Sequence, residues 1–298
     1  MNEKTKCKRC GLLIDCELEI CPYCGTSTKM DESKKEHFSS ISDLEKVAQV
    51  KEEKKEKSSF LDFPSHVLEV PFITNIIYFL TGFIGLAIIT FLFQIIASAN
   101  GNFYFLHSGA SSAAINFAVY FIAFGIMVFI SLPHIKKFFE AYKEHNVILW
   151  GLLGGFAVLV ITSTVTSLFN LIPHQGQNAN EDSLNSFTIA YPVLSIIAFG
   201  ILGPIVEEIT YRVGLFSLLY KKNRLLAYLV TTVIFGLIHF SFDAGNLVNE
   251  FINLPTYLTA GLLFCYIYEF KGFGASTIAH ITNNIVALTF TLIASYIS

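Results

Sequence analysis

The chain has 298 residues, 53% hydrophobic and only 14% charged, with a formal net charge of −3 and a mean hydropathy of +0.56. A soluble globular chain carries about 25% charged residues; here twelve of the twenty Lys/Arg and fourteen of the twenty-three Asp/Glu precede residue 70. That distribution excludes a single soluble core and a disordered chain, and no basic, aromatic-rich stretch points to a nucleic-acid partner.

Residues 1–70 are polar, so no secretory signal is expected and the mature chain should begin at or near Met1. Residues 1–26 hold five of the six cysteines, in CKRCGLLIDCELEICPYCG. Cys7, Cys10, Cys21 and Cys24 form two C-x2-C knuckles, each followed by a glycine (Gly11, Gly25) that permits a tight turn at the thiolate. Four soft ligands at this spacing predict a structural zinc in a zinc-ribbon. Two disulfides are the competing reading if the head lies outside the cell. Cys16 is a spare thiol or an alternative ligand, and Cys265 reads as a core residue. Residues 27–70 are rich in Lys, Glu, Ser and Asp and read as a charged linker.

The remainder predicts an all-α polytopic membrane protein. A spanning helix needs about 20 mostly apolar residues. Seven such stretches are read, at roughly 74–97, 112–132, 147–172, 188–220, 225–241, 251–270 and 273–296. The first three belong to an N-terminal block, 71–187, and the rest to a second block, 188–298. The fourth stretch is too long for one simple span, and Gly203-Pro204 is expected to break or kink it. Cytoplasmic loops collect Lys and Arg. With the head inside, Lys136, Lys137, Lys143, Lys221, Lys222, Arg224 and Lys271 all fall on the inner side, and the outer loops carry none. The expected location is the cell membrane, with a cytoplasmic N-terminus and the C-terminus outside.

Ionisable residues inside spans are functional candidates by default. Past residue 190 they are Glu207, Glu208 and Arg212 in the fourth span, His239 in the fifth, and His280 with Asn284 in the seventh. Glu208 and Arg212 are four apart and share a helix face, so they can pair. Glu207 is turned by about 100° from Glu208 and stays available. Each histidine alone reads equally well as an interhelical hydrogen bonder. An unpartnered buried carboxylate is harder to explain as packing. Counting about 1.5 Å per residue from the inner loops, Glu207, His239 and His280 can converge in one intramembrane cavity. Gly151, Gly154 and Gly155 read as close-packing positions.

A carboxylate helped by a histidine can deprotonate water, and a second histidine with an amide can donate to an oxyanion. EEITYR fits EExxxR, FGLIH fits FxxxH, and HITNN fits HxxxN, in that order on successive apolar stretches. Together they resemble the CPBP family, the CAAX proteases and bacteriocin-processing enzymes also called Abi, over about residues 188–297. The resemblance implies an intramembrane glutamic endopeptidase with a cavity open to the cytosol. It implies Glu207 as the water-activating base, His239 as its partner, His280 and Asn284 as the oxyanion site, and Glu208 and Arg212 as support. Tyr211 stands where the family often has phenylalanine. No catalytic metal is implied.

The expected partners are the lipid bilayer and a peptide or membrane-protein substrate. One rival is a metalloprotease holding zinc through Glu207, His239 and His280, a ligand set known for catalytic zinc, although an H-E-x-x-H helix is absent. Another is a non-enzymatic immunity or scaffold protein. A transporter is disfavoured because no inverted repeat pairs two broken helices.

Overall fold

The computed structural model describes residues 4–6, 13–15, 65–99, 109–173, 176–242 and 245–297. The chain divides into two compact units, Met1–Ser65 and His66–Ser298. Within the first, β1 (Lys4–Lys6) pairs antiparallel with β2 (Leu13–Asp15), with Thr5 opposite Ile14. A two-stranded element was not anticipated for the head. The connection between the strands contains Cys7 and Cys10. All four expected zinc ligands, Cys7, Cys10, Cys21 and Cys24, lie outside the described residues.

The second unit is helical. It comprises α1 (Phe72–Ala99), α2 (Gly109–Ser131), the short α3 (Ile135–Ala141), α4 (Val147–Phe169) and α5 (Ala179–Ala190). These are followed by α6 (Pro192–Tyr220), α7 (Arg224–Leu237) and α8 (Leu247–Ile297). Five helices among the described residues are long and apolar enough to cross a membrane: α1, the segment Phe117–Ala141, α4, α6 and α8. The unit is that of a multi-pass membrane protein. Its outer surface suits lipid, since Ile77, Leu80, Ile84, Ile88 and Phe91 along α1 are all exposed. A bilayer exerts no hydrophobic penalty on such a face.

Of the seven expected stretches, the fifth falls short of a full span, and the sixth and seventh stand on either side of a chain reversal. The fifth expected stretch is a helix of 14 residues, about 21 Å long, short of a bilayer core of about 30 Å. It ends at Leu237, so His239 sits in the turn beyond it. The sixth and seventh expected stretches are the two limbs of α8, separated at Gly272, whose φ 80° and ψ 176° are not helical. That conformation belongs essentially to glycine. The limbs 247–271 and 273–297 fold back on each other, since Ser276 Oγ reaches the Phe264 carbonyl oxygen at 3.3 Å across twelve residues. Helix α5, inside an expected loop, starts at the N-cap Asn178, whose side chain accepts from the Glu181 amide.

Helix α6 is not broken at Pro204. Instead, Ile196–Leu202 and Glu208–Phe216 are π-helical and flank an α-helical Gly203–Glu207. The wider turn absorbs the amide that proline lacks. The loosened backbone is satisfied from α1, where buried Asn75 donates to the Val213 carbonyl at 2.6 Å.

Two ends of the bundle are distinct. At one, Lys137 Nζ donates to the Glu69 carbonyl at 2.6 Å, Lys221 Nζ to the Val70 carbonyl at 2.8 Å, and Arg224 pairs with Glu269 at 2.8 Å. This basic end gathers the Lys/Arg of all the expected inner loops. At the other, Glu250 accepts from the amides of Ala179 and Ser241 at 2.7 and 3.0 Å, tying α5 and the turn after His239 to the start of α8. The expected close packing occurs on α4. A Cβ at Gly151 would stand 2.5 Å from Ile278, and one at Gly155 would stand 2.6 Å from the Ala279 carbonyl oxygen. Helix α4 and the second limb of α8 therefore meet backbone to backbone, which positions His280.

Candidate active site

Helix α6 supplies both glutamates from the junction where α-helix passes into π-helix. Glu208 is fully buried and Glu207 retains 16% side-chain exposure. A single position along the helix thus separates a carboxylate sealed in the bundle from one that faces a cavity. Arg212 Nε lies 3.4 Å from Glu208 Oε1, with both side chains inaccessible to solvent. The Arg212 guanidinium sits 4.5 Å from the centre of the Phe235 ring and 5.3 Å from that of Phe264, a cation–π arrangement that offsets part of the desolvation of the charge.

His280 stands between the glutamates. Its Nδ1 lies 3.0 Å from Glu208 Oε1 and its Nε2 3.7 Å from Glu207 Oε2. The ring stacks on Phe264 with centroids 4.2 Å apart. Ser276, one helical turn before His280, donates to the second oxygen of Glu208. Glu208 therefore anchors Arg212, His280 and Ser276 together. Its reach to His280 goes beyond the supporting role expected from the Arg212 pairing alone.

His239 Nδ1 is 2.9 Å from the Phe235 carbonyl oxygen. A carbonyl only accepts, so Nδ1 carries the hydrogen and Nε2 of the neutral ring is an acceptor. The imidazole stacks on Tyr257, with centroids 4.5 Å apart and planes 14° apart. The Tyr257 hydroxyl donates to Glu181 at 3.0 Å, and Asn178 Nδ2 donates to the His239 carbonyl at 3.3 Å. Asn284 Nδ2 donates to the Phe199 carbonyl at 2.9 Å, and its Oδ1 accepts from Asn283 at 3.0 Å. One amide hydrogen of Asn284 is thus used within the protein and the second remains for a ligand.

Glu207, His239, His280 and Asn284 all line one cavity of about 690 Å³. Glu208 and Arg212 lie behind its wall. Sequence reasoning missed Ser276, Tyr257, Asn178 and Phe264. Ser276 was accessible in principle, since it shares the i,i+4 face of His280. The other three depend on the fold-back at Gly272 and on α5. Among the described residues, no three His, Cys, Asp or Glu side chains are grouped as a metal-ligand set.

Two relatives align with part of the chain. The protein "UPF0177 protein YvdC" of Lactococcus lactis is 26% identical over 141 residues, 47% of this chain and 51% of that protein. The Bacillus subtilis protein named "Putative membrane peptidase YdiL" is 30% identical over 122 residues, 41% of this chain and 46% of that protein. The chain thus spans about half the length of these curated relatives. No solved structure matches. The segment that carries all four cavity-lining candidates, residues 189–286, matches the family described as Type II CAAX prenyl endopeptidase Rce1-like.

Proposed function

We propose that the chain is an intramembrane endopeptidase that hydrolyses membrane-associated peptides or proteins with a water activated by Glu207 and His239. The observation that carries this reading is the convergence of Glu207, His239, His280 and Asn284 on one cavity, with Glu208 and Arg212 sealed behind it. Glu207 accepts a proton from water, and His239 Nε2 is free to share it. The hydroxide adds to the scissile carbonyl. The oxyanion is stabilised by the spare Asn284 hydrogen and by His280, which, with its Nδ1–H given to Glu208, donates from Nε2 only as the imidazolium, and the proton held by Glu207 passes to the departing amine. Glu208 holds His280 in place without touching substrate.

The match to a peptidase family over residues 189–286 and the name of the Bacillus relative support the same reaction class. No metal takes part in this scheme. The head binds a structural zinc through Cys7, Cys10, Cys21 and Cys24, and the basic end of the bundle faces the cytosol. The test compares membrane-associated peptides from cells producing the wild type or Glu207→Gln. Products that vanish in the variant at equal protein level support proteolysis. Identical peptide profiles favour a protein that sequesters a partner without cleaving it.

A further inference from the structure

His280 and Asn284 stand one turn apart on the second limb of α8, and each is docked on α6. His280 is held by Glu208. The hold on Asn284 begins with a missing amide. In the π-helical stretch Ile196–Leu202 the rungs run five residues back, and the Gly203 amide closes one of them on the Ala198 carbonyl. The next rung would join residue 204 to Phe199. Residue 204 is a proline and has no N–H, so the Phe199 carbonyl takes its hydrogen from Asn284 Nδ2 at 2.9 Å instead. The two helices meet closely at this point. A Cβ at Gly200 would stand 3.1 Å from Ile285, the residue after Asn284.

A carbonyl only accepts, so the nitrogen of the Asn284 carboxamide must face Phe199 and its oxygen must face away. That oxygen meets Asn283 Nδ2 at 3.0 Å. Asn283 keeps this orientation although its own Oδ1 is buried and, among the described residues, has no hydrogen-bond partner. An unpaired buried acceptor is costly, and the bond to Asn284 offsets that cost. Turning the Asn284 carboxamide over would set its oxygen against the Phe199 oxygen. One hydrogen on Nδ2 is left over, and Phe199, Glu207, Asn283 and Asn284 all line the cavity. Phe199 and Glu207 belong to the same helix, so the spare hydrogen and the carboxylate are both placed relative to α6.

Resting on the proteolytic reading above, we propose that Pro204 and Asn283 are positioning residues of the reaction and act through Asn284. Pro204 withholds an amide from Phe199 and Asn283 donates one to Asn284. Together they fix the Asn284 carboxamide by both ends, and with it the direction in which its spare hydrogen meets the oxyanion. A donor set in advance in this way needs no reorganisation when the charge develops.

The purified full-length protein is assayed with a fluorogenic peptide spanning a cut site found in the Glu207→Gln comparison, with Glu207→Gln as the baseline. Pro204→Ala returns an N–H to residue 204, and Asn283→Ala removes the donor to Asn284 Oδ1. Each should lower kcat about tenfold, a part of the roughly 10²–10³ that one oxyanion donor supplies. KM should stay within about twofold, and the pH profile of kcat should keep its midpoints, because Glu207 and His239 are untouched. In an Asn284→Ala background the same two substitutions should cost less than about twofold, since the group they act through is gone. Losses of equal size in both backgrounds, a displaced pH profile or an unchanged kcat overturns the proposal. Thermal unfolding in detergent reads the hold on Asn284 without reference to activity. Asn284→Ala should lower the midpoint of the wild type more than that of Pro204→Ala, whose restored amide already serves the Phe199 carbonyl. Equal drops overturn the proposal whatever the kinetics show. The expected coupling of midpoints with no cleavage by the wild type sinks the proteolytic reading, and the catalytic role with it, while retaining the hold on Asn284.

Discussion

His280 and Glu208, 72 residues apart in sequence, are joined by a 3.0 Å contact between Nδ1 and Oε1 inside the bundle. The other ring nitrogen stands 3.7 Å from Glu207, so the buried member of the glutamate pair orients a histidine that lies beside the accessible member. Glu207→Gln should remove proteolysis while leaving the thermal midpoint nearly unchanged, because the amide keeps the shape but accepts no proton from water. Glu208→Gln should destabilise by about 3–5 kcal/mol, since it strands the buried Arg212 charge. Thermal unfolding in detergent alongside turnover separates the two; near-normal turnover by Glu207→Gln would remove it from the chemistry.

Ser276→Ala deletes a hydrogen bond to a fully buried carboxyl group that also contacts Arg212. A loss of about 1.5–3 kcal/mol is expected, with reduced kcat as His280 loses part of its anchor. Unaltered stability and kcat together would show that Ser276 contributes nothing to the Glu208 network.

Tyr257 supports His239 in two separable ways. Tyr257→Phe keeps the ring stacked on the imidazole and loses the hydroxyl's hydrogen bonds with Glu181, Asn180 and Asn178, so activity should fall modestly, with about 1 kcal/mol of stability lost for each bond. Tyr257→Ala removes the platform and should cost far more activity than Phe. Equal activities of the two variants would mean the stacking does not position His239.

Gly272→Ala places a side chain at φ 80°, with Glu144 Oε2 and the His66 Cβ both 3.5 Å from the new Cβ. Strain of about 1–3 kcal/mol is expected. Because this residue sets the fold-back between the limbs of α8, the variant should lower activity together with stability. A thermal midpoint equal to the wild type would show that the hinge tolerates a side chain.

The head should carry one zinc per chain, and the Cys7→Ser, Cys24→Ser double variant should carry none, because a tetrahedral site with two thiolates removed holds the ion too weakly. Metal analysis of both purified proteins decides this. Cleavage that survives a strong chelator supports a metal-free membrane site; chelator-sensitive activity that zinc restores in the double variant would point to the metalloprotease instead.

Composition and local spacing were enough to read a membrane protein with a polar head, because apolar runs of about 20 residues leave a chain few alternatives in lipid. The same spacing exposed Glu207, Glu208, Arg212, His239, His280 and Asn284 as polar groups out of place, and the four-residue step from Glu208 to Arg212 foretold their 3.4 Å approach. The fate of Pro204 was not legible: hydrophobicity cannot distinguish a broken helix from one that widens into π-turns, and the Phe199 carbonyl, five residues before the proline, is satisfied by Asn284 from the second limb of α8. Nor was the Glu208–His280 contact, which exists because Gly272 reverses the chain and glycines on α4 admit the second limb of α8 at backbone distance. Helix α5 was hidden because its residues are polar, and only its docking through Glu250 and Tyr257 makes it the wall of a cavity. Membrane insertion follows from how each segment partitions between water and lipid, a property of local composition. Which polar groups meet is settled by packing among segments far apart in the chain.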